Sequence, residues 1–364
     1  MVEIILDNVS KNVDGRPIVQ EISLSIPDKS FFCILGPPGS GKTMLSRLIS
    51  GLDKPDTGRV IFDGRDVTSL EPVERRVAVV FQDFALYPHL TVYENIASPL
   101  TVKKLPREEV RRRIEEVAKY LRIHHRLAHY PSQLSGGERQ RVSIARALVK
   151  EADVIILDEP LVRLDYKIRE DMRVELGKIQ KEFGRNVILI TSDPTDALSL
   201  GELVAVMKSG RILQVGEVHE LYERPYNLFV GKYLGVVEMN AIKGKVESET
   251  GRWWTVKTKL FDFESPKKVD DREVIVGLRP EHLRISELGD IGDIEFEGRV
   301  ALTEVVGSDT IVHIDIDGEE YIRIFVPSIF KKPIGEKIKV TFNLDDLYIF
   351  SSDERFLMRG VEHG

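Results

Sequence analysis

The sequence has almost no cysteine: Cys33 is the single one in 364 residues. One thiol excludes an intrachain disulfide and fits a reducing, cytoplasmic setting. There is no uninterrupted apolar stretch as long as a membrane-spanning helix, and no charged-then-apolar segment opens the chain. If a membrane is involved, another chain must cross it. A surplus of positive charge is also missing, since 52 Lys+Arg face 59 Asp+Glu for a net charge of −7, which argues against nucleic acid as the main ligand. Low-complexity tracts and short tandem repeats are absent as well. The length exceeds what one ordinary core holds, so two or more domains are expected.

What is present falls into two textures. Up to about residue 235, apolar runs at Phe31–Leu35, Val77–Phe81, Val154–Leu157, Val187–Ile190 and Leu203–Met207 alternate with helical patterns near 107–122, 137–149, 167–182 and 195–200. That alternation predicts an α/β unit with a mostly parallel sheet covered on both faces. Val2–Leu6 and Val60–Asp63 read as antiparallel strands beside it. From about Met239 short strand-like runs take over, Ala241–Val246, Trp253–Val256, Val274–Gly277, Gly298–Thr303, Thr310–Ile316, Tyr321–Phe325 and Lys337–Phe342. They predict a small all-β region of barrel type, one barrel or two. Arg111-Arg112-Arg113 stands among glutamates and reads as a solvated helix face, and His124-His125 as a surface pair.

The chemistry begins at Gly36-Pro37-Pro38-Gly39-Ser40-Gly41-Lys42-Thr43, which fits G-x-x-x-x-G-K-[ST] between an apolar run and the helical segment Met44–Ser50. Glycines let such a loop curl so that successive N–H groups and a helix N-terminus converge on an anion. Lys42 is then expected on the outer phosphates and Thr43 on Mg²⁺. Downstream, the apolar run Val154–Leu157 ends in Asp158-Glu159-Pro160. Asp158 is placed to hold Mg²⁺ and Glu159 to orient or deprotonate water. Between them, Ser135-Gly136-Gly137-Glu138 opens a helix whose N-terminus is bare enough to receive a second anion.

These three segments in this order resemble the ATPase subunit of ATP-binding-cassette (ABC) transporters, and the resemblance covers nearly the whole chain. It implies a P-loop cassette with a helical subdomain at about 85–150 and an antiparallel side sheet, residues 1–235, followed by an oligomer-binding (OB)-like regulatory domain, residues 236–364. Gln82 matches the Q-loop glutamine near Mg²⁺, and Gln82–Val92 the surface on which a transmembrane permease docks. Asp165 matches the D-loop aspartate. Val276-Gly277-Leu278-Arg279-Pro280-Glu281 and Glu238-Met239-Asn240 are similar to segments of sugar-importer ATPases. In that family two cassettes pair head to tail, as a homodimer or heterodimer, and each ATP lies between one chain's phosphate loop and the other's Ser135, Gly136 and Gly137 equivalents. The implied function is ATP-driven solute import, with sugar or a related polar solute as the expected cargo and an extracytoplasmic solute-binding protein as indirect partner. The implied location is the inner face of the cell membrane.

Five positions depart from the family pattern. Val13 stands where an aromatic stacks on adenine, Pro38 removes a hydroxyl and an N–H from the loop, and Met44 replaces a second hydroxyl. Val162 replaces the serine ahead of Asp165, and Ser192, in Thr191-Ser192-Asp193, replaces the switch histidine. Serine cannot reproduce an imidazole's reach to the γ-phosphate. Two readings stay open on this sequence: a working importer ATPase, or a slowly hydrolysing, regulatory cassette that lends its intact Ser135-Gly136-Gly137 to a heterodimer partner.

Overall fold

The computed structural model describes residues 2–101, 105–250, 253–265, 272–289, 292–316 and 320–360. The chain divides into two compact units, Met1–Val218 and His219–Gly364.

The first unit contains, in order, β1 (Ile4–Val13), β2 (Arg16–Ile26), β3 (Phe31–Leu35), α1 (Lys42–Ser50), β4 (Thr57–Phe62), β5 (Arg65–Asp66), β6 (Val77–Val80), α2 (Val92–Thr101), α3 (Arg107–Tyr120), α4 (Gly136–Val149), β7 (Val154–Asp158), α5 (Tyr166–Phe183), β8 (Asn186–Thr191), α6 (Pro194–Leu200), β9 (Leu203–Lys208) and β10 (Arg211–Glu217). The central sheet runs β10-β9-β3-β8-β7-β6. It is parallel except for the β9–β10 hairpin. Every residue of β3, β7 and β8 is buried, which explains their continuous apolar sequence: helices cover both faces of a parallel sheet. Parallel pairing also sends the ends of β3, β6, β7 and β8 to one edge. Leu35 lies opposite Thr191, Asp158 opposite Ile190 and Val80 opposite Leu157.

Beside it, β2-β1-β4-β5 form an antiparallel sheet. One core joins Ile4, Ile22 and Val60 of that sheet with Leu45 of α1 and Ile34, Ile190 and Met207 of the parallel strands. The sequence reading anticipated β1 and β4 but not β2 or α2. Helix α2 carries Pro99 inside it, which hides the helical pattern. Its own Asn95 ties it to the preceding segment: the buried side chain accepts from Tyr87 N–H at 2.9 Å and donates to the carbonyls of Tyr87, Leu90 and Thr91 at 3.0–3.1 Å.

The second unit contains α7 (Val218–Glu223), α8 (Leu228–Tyr233), β11 (Asn240–Thr250), β12 (Trp253–Thr258), β13 (Asp262–Ser265), β14 (Glu273–Leu278), β15 (Arg284–Ile285), β16 (Ile294–Val306), β17 (Asp309–Asp315), β18 (Tyr321–Val326), β19 (Lys337–Phe342), β20 (Leu347–Ser351) and β21 (Phe356–Arg359). Its strands form two antiparallel sheets, β13-β12-β11-β14-β20-β21 and β15-β19-β16-β17-β18. They share one core, with Val256, Val276 and Ile349 from the first and Phe296, Val312 and Ile324 from the second.

The division falls after Val218 rather than after residue 235. Arg279 supplies the reason. Its side chain is fully buried and donates to the carbonyls of Tyr222, Gly231 and Leu234 at 2.8–3.2 Å and to Tyr348 Oη at 3.2 Å, tying α7 and α8 to the sheets. Its guanidinium lies 3.5 Å from the centre of the Tyr222 ring. Burial lowers its pKa, and the array of carbonyls and π faces stabilises the charge without a carboxylate.

Candidate nucleotide site

The loop after β3 is shaped by close backbone approaches. A Cβ on Gly36 would lie 2.2 Å from Met207 O, and one on Gly41, with φ +102°, 2.5 Å from Ile18 O. Only glycine lets the loop sit this close to β9 and β2. Gly41 caps α1 with no side-chain hydrogen bond, so the first N–H groups of the helix face the loop's interior. Ser40 Oγ is buried there without a hydrogen-bond partner. An orphaned hydroxyl inside an anion-binding loop fits a phosphate oxygen. Pro38 stands exposed and Pro37 half-buried beside Gly39, whose φ is +78°.

Lys42 is buried. Its Nζ donates to Gly36 O at 2.7 Å and Pro37 O at 3.1 Å and lies 3.6 Å from Glu159 Oε1. Burial pulls its pKa down, while Glu159 and Asp158 oppose the shift. Thr43 Oγ1 donates to Asp158 Oδ1 at 3.4 Å. The Asp158 carboxyl is pushed up to about 6, first by burial and then by the neighbouring charge of Glu159. A hydroxyl and a carboxylate that resists ionisation in the absence of a counter-charge form a hard-oxygen donor set suited to Mg²⁺. Among the described residues no group of three His, Cys, Asp or Glu side chains could hold a metal by itself, and Mg²⁺ in nucleotide sites takes its remaining ligands from phosphate and water.

Glu159 leaves β7 with φ +47°, a left-handed conformation that costs a non-glycine residue about 1–2 kcal/mol. The loop compensates with bonds: Glu159 N–H donates to Ile190 O at 2.9 Å. Ser192 donates to Glu159 Oε2 through its N–H at 3.1 Å and its Oγ at 3.2 Å. Ser192 therefore engages the carboxylate directly, a contact that the sequence reading did not foresee. Gln82 lies exposed two residues beyond β6, at the same sheet edge. Val13 ends β1 at the hairpin with Arg16, 38 % exposed. Met44 is half-buried and packs against the core of this unit.

Ser135 and Asp165 have local partners. Ser135 caps α4 in a reciprocal box with Glu138, at 2.8 and 3.3 Å, and Glu138 also accepts from Arg126 Nε at 2.7 Å. Asp165 caps α5 by accepting from Ile168 N–H at 3.1 Å. Gly137 is required within the chain, because a Cβ there would stand 2.6 Å from Ile168 Cγ2. Gly136 is not: its Cβ would meet ordinary contacts at 3.8 Å.

The charged support behind Ser192 went unread in the sequence. Thr191 Oγ1 donates to Asp196 Oδ2 at 3.2 Å and accepts from Asp193 N–H at 3.0 Å. Arg169 Nη1 reaches Asp193 Oδ2 at 2.9 Å, and Arg173 Nε reaches Asp196 Oδ1 at 2.7 Å. The available signal was weak: arginines four apart on α5 and aspartates three apart around the start of α6.

On the other side of the edge, α4 holds the segment after Gln82. Ser143 Oγ donates to Phe84 O at 2.9 Å, and Arg146 donates to the carbonyls of Ala85 and Phe84 at 2.7 and 3.1 Å. A cavity of about 320 Å³ opens there, lined by Phe81, Ala85, Tyr87, Pro99, Arg146 and Lys150 among others. No helix among the described residues is long and apolar enough to cross a membrane.

Comparison with known proteins identifies the family. Residues 19–162 match the ABC transporter family and residues 276–350 the TOBE domain. The chain is 34 % identical over 371 residues to the oligosaccharides import ATP-binding protein MsmX of Bacillus subtilis, covering 99 % of this chain and 100 % of that one. It is 37 % identical over 364 residues to the glucose import ATP-binding protein GlcV of Saccharolobus solfataricus, covering 97 % and 100 %. Among solved structures, the ATP-binding cassette MJ0796, in a dimeric post-hydrolysis state bound to ADP and Pi, superposes with a TM-score of 0.54 at 35 % identity, over 59 % of this chain and 98 % of that one. A phosphate loop, an Asp-Glu strand end and a Ser-Gly-Gly helix start in one unit, followed by a TOBE region, make this chain a member of the ABC transporter ATP-binding protein family, an ATPase family.

Proposed function

We propose that the chain is the ATP-hydrolysing subunit of an ABC importer for a sugar or related polar solute. The observation that carries the reading is the convergence of Lys42, Thr43, Asp158, Glu159 and Ser192 at one sheet edge, within 3.1–3.6 Å contacts. In this reading Lys42 and the α1 N-terminus hold the outer phosphates, and Thr43, Asp158 and Gln82 surround Mg²⁺. Bound Mg²⁺ would neutralise the phosphates. Glu159 orients and deprotonates the attacking water, held in place by Ser192.

Ser135, Gly136 and Gly137 would complete the site of a second cassette in a head-to-tail dimer. Gly136 supports this, because nothing in its own chain crowds a Cβ there. The segment Gln82–Val92, clamped by α4, would receive a transmembrane permease subunit. Sugar as cargo rests on the import proteins the chain is similar to, and the second unit is assigned the regulatory role. The chain would then sit peripherally on the cytoplasmic face of the membrane.

Phosphate release from Mg-ATP by the wild-type chain, against a Lys42→Ala control, tests the ATPase reading. Release at or below that control would refute it. Co-purification of a membrane subunit, lost on Arg146→Glu, tests the docking surface.

A further inference from the structure

Between α5 and the loop that holds Glu159 lies a charged network that phosphate binding, metal binding and water activation do not use. Its members are Arg169 and Arg173, one helical turn apart on α5, and Asp193 and Asp196 at the start of α6. Arg173 and Asp196 are both buried. Arg173 Nε lies 2.7 Å from Asp196 Oδ1, its Nη2 3.6 Å from Asp193 Oδ2, and Arg169 Nη1 2.9 Å from the same Asp193 oxygen. Arg173 also pairs with Glu170.

A purely structural pair would need only one of these contacts. Here both aspartates also bind Thr191: Asp196 accepts its hydroxyl at 3.2 Å, and Asp193 donates its N–H to the same hydroxyl at 3.0 Å. Asp193 further caps α6 by accepting from Thr195 N–H at 2.8 Å. Both neighbours of Ser192 are thus locked, and its N–H and Oγ point at Glu159 Oε2. Serine has a short side chain, so it reaches the carboxylate only if the backbone is held at one place.

From this geometry we propose that Arg169 and Arg173 are positioning residues for hydrolysis, acting through Asp193 and Asp196 to set Ser192 and hence the carboxylate of Glu159. Their ion pairs are with Asp193, Asp196 and Glu170, and not with Lys42, Thr43, Asp158 or Glu159. Their effect is on the rate of the chemical step and not on nucleotide affinity. The inference rests on the ATPase reading above and deepens it, because it makes the serine at position 192 part of a working arrangement rather than a loss.

The test uses the full chain with Mg-ATP. Asp193→Asn keeps the α6 cap but removes the charge that Arg169 meets, and Arg169→Gln removes the other half. Each should lower kcat about fivefold to tenfold while KM for ATP and affinity for a fluorescent ATP analogue change less than about twofold. The double variant should be no slower than about the worse single, because both break one coupling. Arg169→Lys should recover part of the rate. Ser192→Ala should lower kcat by a similar factor, and Ser192→Thr, which keeps the hydroxyl, should lose less.

Arg173→Ala leaves a buried aspartate unpaired and risks unfolding, so the half-exposed Arg169 carries the decisive variant. Unchanged kcat in Arg169→Gln and Asp193→Asn would overturn the proposal. So would a fall in kcat matched by an equal loss of nucleotide affinity, or additive effects in the double variant. Wild-type turnover no higher than that of Lys42→Ala would instead overturn the ATPase reading on which the inference rests.

Discussion

Replacing Glu159 by glutamine separates binding from chemistry. The amide is nearly isosteric, and its carbonyl oxygen can accept the two bonds that Ser192 now donates to Glu159 Oε2 at 3.1 and 3.2 Å. What disappears is the negative charge, 3.6 Å from Lys42 Nζ and adjacent to Asp158. Losing a general base lowers a rate by about 10²–10⁴, equivalent to about 3–5 kcal/mol in activation free energy. Binding should move the other way. With Glu159 neutral, one of the two carboxylates facing the incoming phosphates is gone, and Lys42 keeps its bonds to Gly36 O and Pro37 O.

At an effective dielectric near 80 to 20, one unit charge a few ångströms away is worth about 1–4 kcal/mol before screening, so ATP affinity should hold or rise severalfold. The assay is phosphate release beside equilibrium binding of a fluorescent ATP analogue, with dimer formation followed by size-exclusion chromatography. Slow hydrolysis with retained ATP and a longer-lived closed dimer is the expected result. Hydrolysis at the wild-type rate would refute the assignment of Glu159, and loss of ATP binding would refute the charge argument.

The same electrostatics predict a pH dependence. Asp158 ionises at about 6 in the nucleotide-free protein, and only its ionised form holds a divalent cation. Mg²⁺-dependent ATP affinity should therefore be full at higher pH and fall as pH drops through about 6, with the midpoint lower in Glu159→Gln because a cause of the shift is removed. Titration by isothermal calorimetry checks both midpoints. Gly137→Ala forces a Cβ to within 2.6 Å of Ile168 Cγ2 and should cost about 1–3 kcal/mol, read as a lower melting temperature and partly relieved by Ile168→Ala. Gly136→Ala meets no such contact at 3.8 Å, so it should leave the isolated chain's stability unchanged while weakening ATP-driven dimerisation. Arg279→Met strands three buried carbonyls now bonded at 2.8–3.2 Å and should destabilise the second unit by about 3 kcal/mol or more. ATP affinity should survive, because no bond of Arg279 reaches the phosphate loop.

Much of this was legible in the residues. A buried parallel strand must be apolar along its whole length, so Phe31–Leu35 and Val154–Leu157 announced themselves, as did the glycines and lysine that an anion-binding loop requires. Helix α2 was hidden because Pro99 disfavours a helix locally, and only the bonds of Asn95 and packing against α4 show why it forms. The short strands β13, β15, β20 and β21 were missed because two to five residues carry too little pattern to stand apart from loops. Met44, which replaces a second hydroxyl after Thr43, is half-buried and packs against the core of the first unit, a contact that only the folded chain shows.

The sequence by itself determined the kinds of groups available: a loop that binds phosphate, two adjacent carboxylates at a strand end, and a Ser-Gly-Gly helix start. Local spacing suffices for these, since each motif lies within one turn or one strand end. Only the tertiary structure decided how they are joined. That Thr43 meets Asp158, that Lys42 and Ser192 grip opposite oxygens of Glu159, and that Arg169 and Arg173 stand behind Ser192 all depend on the order in which β3, β8 and β7 lie in the sheet. β3 is separated in sequence from β7 and β8 by more than a hundred residues, and no local pattern encodes a register set by long-range packing.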